Sequence, residues 1–371
     1  MKKTLIALLL AAALTLCACG GTASSSAAPQ SGEPQSGAPE TEDAAQTAEL
    51  PADETVLGTV FGKDVLYTDY RLYLDLEDRA YLDSLRNEMA LNLLLEREMS
   101  ERGVAAESED FESYAAEAYY SEMLSEPRLI DEINAACELT GLMGGNLDLA
   151  LYEAYRQGYC IEKLGDFFSE TYRSENEQGE KTDEDFDADA VAYANEQLYA
   201  LAGELAQRIE IPSDDQLLAR IDGEEVALED RHKAYLILAV ARNRINLANS
   251  ILIGEGMRHE LLEARGEEAV AQAVEAMQGY RDYVAPTFES AEFAEAYGSL
   301  LEARGATKEQ MLESVVRTFT AMMGFEEAYY QMLSEQYEAA TGTDVPETFE
   351  EYYADRCEEL YAQCVAVNPM G

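Results

Sequence analysis

Basic residues are scarce. The 371-residue chain carries 26 lysines and arginines against 74 aspartates and glutamates, a formal net charge of −48 at pH 7. Such a surface repels phosphate backbones and anionic lipid headgroups, so no nucleic-acid partner is expected. Tryptophan is absent, and the only two histidines, His232 and His259, lack metal-ligand spacing and read as structural or surface residues. Glycine and proline thin out after Pro51, while Ala, Leu, Glu, Met and Gln abound, which predicts helix. Beyond the N-terminal segment no run is long and apolar enough to cross a bilayer. Gly-x-Ser-x-Gly, His-Glu-x-x-His, P-loop and Gly-x-Gly-x-x-Gly patterns are all missing. Carboxylate pairs abound, but with so many acids none marks an acid/base couple. Asp185, Asp187, Asp189 and Glu196 have calcium-loop spacing, yet Ala190 stands where the sharp turn needs Gly, so this stretch reads as an acidic inter-helix linker. The expectation is a non-enzyme without cofactor or metal.

What is present begins at the N-terminus. Lys2 and Lys3 precede an apolar run from Leu5 to Leu16, too short to span a bilayer, and Leu16-Cys17-Ala18-Cys19 resembles a bacterial lipobox. The expectation is a signal peptide over 1–18 and lipidation (palmitate) at Cys19. The protein would then be anchored to the extracytoplasmic face of the cell membrane, through its lipid only. Gly20 leaves sorting to an outer membrane open. Residues 19–54, rich in Ser, Ala, Gly, Pro and acid, read as anchor and flexible spacer with a reach of about 30 Å.

Four cysteines remain: Cys137, Cys160, Cys357 and Cys364. Cys357 and Cys364, seven apart in one helical pattern, are too distant for a bridge and read as small buried hydrophobes. A Cys137–Cys160 bridge stays open.

The body repeats itself. Thr59-Val60-Phe61-Gly62-Lys63-Asp64-Val65 matches Arg220-Ile221-Asp222-Gly223-Glu224-Glu225-Val226, each a strand, a Gly turn and a second strand before a helix. Leu82, Leu85, Met89 and Leu93 have helical spacing, and Gly103 and Gly266 are placed to end long helices. Leu205-Ala206-Gln207 aligns with Tyr361-Ala362-Gln363, each a helix running into a short strand-like tail. The proposed modules are 55–212 and 213–371.

The openings, Val60 to Val65 as Val-x-Gly-x-x-Val and Ile221 to Val226 with Ile first, resemble the start of the SurA N-terminal domain family. This family includes the PrsA-type extracytoplasmic chaperones and is related in fold to the chaperone domain of trigger factor. Arg304-Gly305-Ala306-Thr307-Lys308 resembles the family's step into a later helix; Thr140-Gly141-Leu142-Met143 resembles it poorly. The resemblance implies a mostly α fold of two tandem helical modules, each with a small two- or three-stranded β element. It also implies ATP-independent holdase or foldase-type binding of unfolded exported polypeptides. A parvulin-type prolyl isomerase domain, which many members carry, has no room here: its place holds only Ser174 to about Asp187, against roughly a hundred residues for a domain. Isomerase activity therefore stands as a distant alternative. A non-enzymatic adaptor with one specific partner is a nearer one.

Met322, Met323, Phe325, Tyr329, Tyr330 and Met332 form an apolar stripe. It reads either as helix core or as part of an adaptable client-binding groove, since Met is flexible and polarizable.

Overall fold

A computed structural model describes residues 55–104, 108–125, 129–179, 181–214, 216–342, 346–367 and 369. The leader, Cys19 and the spacer to residue 54 lie outside the described residues. The described chain is mostly α-helical with two small three-stranded antiparallel sheets.

Strands β1 (Val56–Val60) and β2 (Lys63–Leu66) form a hairpin that leads into helix α1 (Arg71–Glu101). Helices α2 (Ser108–Ser125), α3 (Leu129–Thr140), α4 (Gly145–Glu175) and α5 (Asp183–Ala206) follow, then the short strand β3 (Ile209–Glu210). The order then restarts: β4 (Leu217–Ile221), β5 (Glu224–Ala227) and the long helix α6 (Asp230–Arg265), which against the sequence expectation is long and apolar enough to cross a bilayer, although 56% of its most apolar window is buried inside the protein. Next come α7 (Glu267–Ala276), α8 (Gln278–Glu289), α9 (Ala291–Arg304), α10 (Lys308–Phe319), a π-helical turn over Thr320–Gly324, α11 (Glu326–Thr341), α12 (Pro346–Tyr361) and β6 (Cys364–Ala366).

The two hairpins share one geometry. In the first, Val60 pairs with Lys63 and Gly58 with Val65, with a register shift between Val56 and Gly58; in the second, Ile221 pairs with Glu224 and Ala219 with Val226, with a shift between Leu217 and Ala219. Both turns place two successive residues at positive φ, Phe61-Gly62 and Asp222-Gly223. That is the backbone a tight two-residue hairpin needs, and glycine supplies it without steric cost. Phe61 adopts it against its own preference, and its ring lies against His259 at 4.8 Å.

Helix ends follow their local signals. Gly305 in the left-handed region ends α9, and Thr307 with Gln310 forms a capping box that opens α10. Thr182 caps α5, which places Asp185, Asp187, Asp189 and Glu196 on one continuous helix. There Asp187 pairs with Arg173 and Asp189 with Lys181, as expected of an acidic helix face.

The third strands cross the sequence halves. The first hairpin takes β6, with Val60 opposite Cys364; the second takes β3, with Ile221 opposite Ile209. The compact units follow suit. One unit joins the described residues up to Leu76 with those from Arg244 onward; the other spans Glu77–Asn243. The modules 55–212 and 213–371 therefore do not coincide with the compact units, whose boundaries fall inside α1 and α6. In the first unit the core is built on Leu57, Tyr73, Leu74, Ile251, Met311 and Phe319, with a second cluster around Tyr329, Phe349 and Leu360. In the second unit Met89, Leu94, Leu164, Leu205 and Leu218 form the core.

The cysteines bring one correction and close one open question. Cys364 lies in strand β6, not on the helix that carries Cys357, because α12 ends at Tyr361. Cys137 and Cys160 are both free, so the bridge left open by the sequence is not formed. Burial pushes the Cys160 thiol up to about 12 and that of Cys364 up to about 11.

A candidate binding cleft

The first unit carries an open cleft of about 660 Å³, within the usual range for ligand sites. Three structural layers meet there. The hairpin contributes Val60, Lys63 and Val65; α6 contributes Glu255, Arg258 and His259; α10 and the π turn contribute Val316, Arg317 and Ala321. Val274 of α7, Arg281 of α8 and Phe325 complete much of the lining.

Close backbone approach shapes its floor. Gly254 of α6 faces the carbonyl of Ala321 so tightly that a Cβ there would lie 1.5 Å from that oxygen. The π turn widens the helix at this point, and the Thr320 hydroxyl donates back to the Val316 carbonyl within it.

Most charges at the cleft are paired. Arg258 Nε donates to Glu255 at 2.7 Å, and the Tyr70 hydroxyl donates to the other Glu255 oxygen at 2.6 Å. Burial, then Glu255, pushes the Tyr70 phenol far above its ordinary value. Arg317 reaches Asp69 at 3.2 Å, and Arg281 pairs with Glu309. Lys63 differs: its Nζ lies 2.8 Å from His259 Nε2. The ammonium has only donors to offer, and the other ring nitrogen, Nδ1, is buried without a hydrogen-bond partner among the described residues. Glu263 stands 3.7 Å from the same His259 Nε2, beyond hydrogen-bond distance. The lining thus combines apolar side chains (Val60, Val65, Val316, Ala321, Phe325) with charges of both signs.

Of the six stripe residues only Phe325 lines this cleft. Tyr329 is fully buried and donates to Glu260 at 2.7 Å, and Met332 and Phe325 are core residues. Met322, Met323 and Tyr330 are half-buried against the same interior. The stripe thus serves the helix core. Lys63, His259, Arg281 and Arg317 carry no signal as a group in the sequence, because four separate elements deliver them.

His232, in the second unit, is fully buried. Its Nδ1 accepts from the Glu229 backbone N–H at 3.2 Å, the part a Glu or Gln plays in a capping box. Burial first, and the Arg231 guanidinium second, hold it down to about 4.

No protein-family profile, curated protein or solved structure matches the chain.

Proposed function

We propose that this is a lipid-anchored extracytoplasmic protein that holds segments of unfolded exported polypeptides, in the manner of an ATP-independent chaperone. The observation that carries the reading is the open cleft, lined by Val60, Val65, Val316, Ala321 and Phe325 together with charges of both signs. The paired hairpin-and-long-helix modules, which resemble SurA N-terminal domains in sequence, support the same reading. Cys19 would tether the protein, and the strongly acidic surface keeps a loaded complex in solution.

The test uses residues 20–371, which retain every described residue. This form should suppress aggregation of a heat-unfolded client near stoichiometric ratio. Replacing Val316 in the cleft by Asp should weaken that suppression. Absence of suppression at several-fold excess overturns the reading, and capture of one stoichiometric partner in place of many clients favours an adaptor.

A further inference from the structure

Lys63 stands apart from the other cations of the cleft. Arg258, Arg281 and Arg317 each meet a carboxylate. Lys63 forms no ion pair among the described residues, in a chain where acids outnumber bases by 74 to 26. Its one hydrogen-bonding neighbour among the described residues is a second nitrogen, His259 Nε2 at 2.8 Å. An ammonium donating to an imidazole keeps two of its three donors free, and His259 Nδ1 is buried with no hydrogen-bond partner among the described residues. Glu263 stands 3.7 Å from His259 Nε2, so it is Lys63 that has no carboxylate of its own among the described residues. A carboxylate that displaces His259 Nε2 from Lys63 would accept from the ammonium and, with the imidazole in its other tautomer, from its Nε2–H, replacing one neutral acceptor by an anionic one.

The site is held in place on both sides. Phe61, fixed at positive φ in the hairpin turn, packs on the His259 ring, and Lys63 leaves the same turn two residues later. The equivalent position in the second hairpin, one step past Asp222-Gly223, is Glu224, of opposite charge. The cationic group therefore belongs to the cleft-bearing unit and not to the hairpin motif as such. Asp64 and Glu313 also line the cleft, so its selectivity depends on this local pair rather than on a broadly positive field.

We infer that Lys63 and His259 form an anion-accepting subsite of the cleft that takes a carboxylate of a bound peptide, with the neighbouring apolar side chain resting on Val65 and Val316. This rests on the polypeptide-binding reading above and names the chemistry it selects. The carboxylate has two sources, an acidic side chain or a chain end.

The experiment is fluorescence anisotropy with the full-length protein in mild detergent and three fluorescein-labelled Val/Phe-rich hexapeptides. One has a free C-terminal carboxylate, one is its amide, and one is the amide with an internal Glu. At least one carboxylate-bearing peptide should bind about tenfold tighter than the neutral amide, and the one that gains identifies the source. Lys63→Met should remove that preference. Lys63 is exposed, so the variant should fold, and its thermal unfolding checks this. Equal affinity for all three peptides, no binding of any, or a preference that survives Lys63→Met overturns the subsite. Aggregation suppression by the same preparations separates the two ideas: suppression without carboxylate preference removes only the subsite, whereas preference without suppression removes only the chaperone reading.

Discussion

A methyl group on Gly254 would lie 1.5 Å from the carbonyl oxygen of Ala321 and 2.4 Å from its carbonyl carbon. The clash is with backbone, so no rotamer change relieves it. Gly254→Ala should therefore push α6 away from the π turn, destabilising the first unit by about 3 kcal/mol or more and deforming the cleft floor. Gly203, an exposed glycine in α5, has open space around its Cβ position. There Gly→Ala should stabilise by about 0.5–1 kcal/mol, since alanine restricts the unfolded chain and suits a helix. Urea denaturation of both variants checks the opposite signs; two effects of the same sign would remove the close-approach argument.

Asp75 is a buried carboxylate between two arginines. Arg304 Nε lies 2.7 Å from one oxygen and Arg244 Nη2 3.6 Å from the other. All three side chains are less than a tenth exposed. Removing the anion takes the carboxylate away from the buried Arg304, which costs far more than the net worth of the intact pair. Asp75→Ala should cost about 3–5 kcal/mol. Asp75→Ala combined with Arg304→Met should cost less than the sum of the single changes, because the pair then leaves together. Additive losses in a double-mutant cycle would show that the two groups act independently.

Local chemistry is legible in the sequence, and its partners are not. Turns such as Asp222-Gly223 and caps such as Thr307 with Gln310 are decided within four residues, so hairpins and helix ends fall where the pattern puts them. The tail alignment is off by one: identity pairs Leu205 with Tyr361, whereas the strand registers place Ile209 opposite Ile221 as Cys364 lies opposite Val60. That makes Leu360 the counterpart of Leu205. Both are buried, while Tyr361 is exposed. Which terminal strand completes which hairpin has no local signature, since Val60 and Ile221 present similar edges. The cleft is hidden for the same reason: Lys63 and His259 meet across 196 positions of sequence. The stripe around Tyr329 is visible because it is periodic, and periodicity reports burial before it reports binding.

His232 should make the second unit acid-sensitive. Its folded value of about 4 lies below the ordinary 6.5. Between those values the unfolded chain binds a proton that the folded one refuses. The contribution is complete above about pH 6.5 and is lost as pH falls towards 4, on the order of 3 kcal/mol in all. Arg231 and Arg156 face the imidazole and oppose its charging, while Glu229 and Glu96 favour it. Glu88 and Glu153 of the same unit are pushed up by burial, so they work in the other direction and gain as pH falls. The difference between variants isolates the histidine. His232→Gln keeps an acceptor for the Glu229 N–H and should flatten the loss between pH 6.5 and 4. An unchanged slope in urea melts across that range would take His232 out of the acid response.

The exchange of terminal strands predicts a one-sided response to truncation. Strand β6 covers β1 through the bonds Phe61 N–H to Gln363 O and Val367 N–H to Leu57 O, at 3.3 and 3.1 Å. The Val365 carbonyl also lies close against Gly58, where a Cβ would come within 2.7 Å of it. Ending the chain after Tyr361 removes these partners and leaves β1 as an uncovered edge. Amide exchange should then rise in β1, at Phe61 above all. In β4 it should stay slow, because the Asp222 N–H still donates to the Arg208 carbonyl at 3.0 Å. Protection lost in β4 and kept in β1 would mean that each hairpin is completed from its own half of the sequence. Protection lost from neither would mean that β6 does not hold the first sheet.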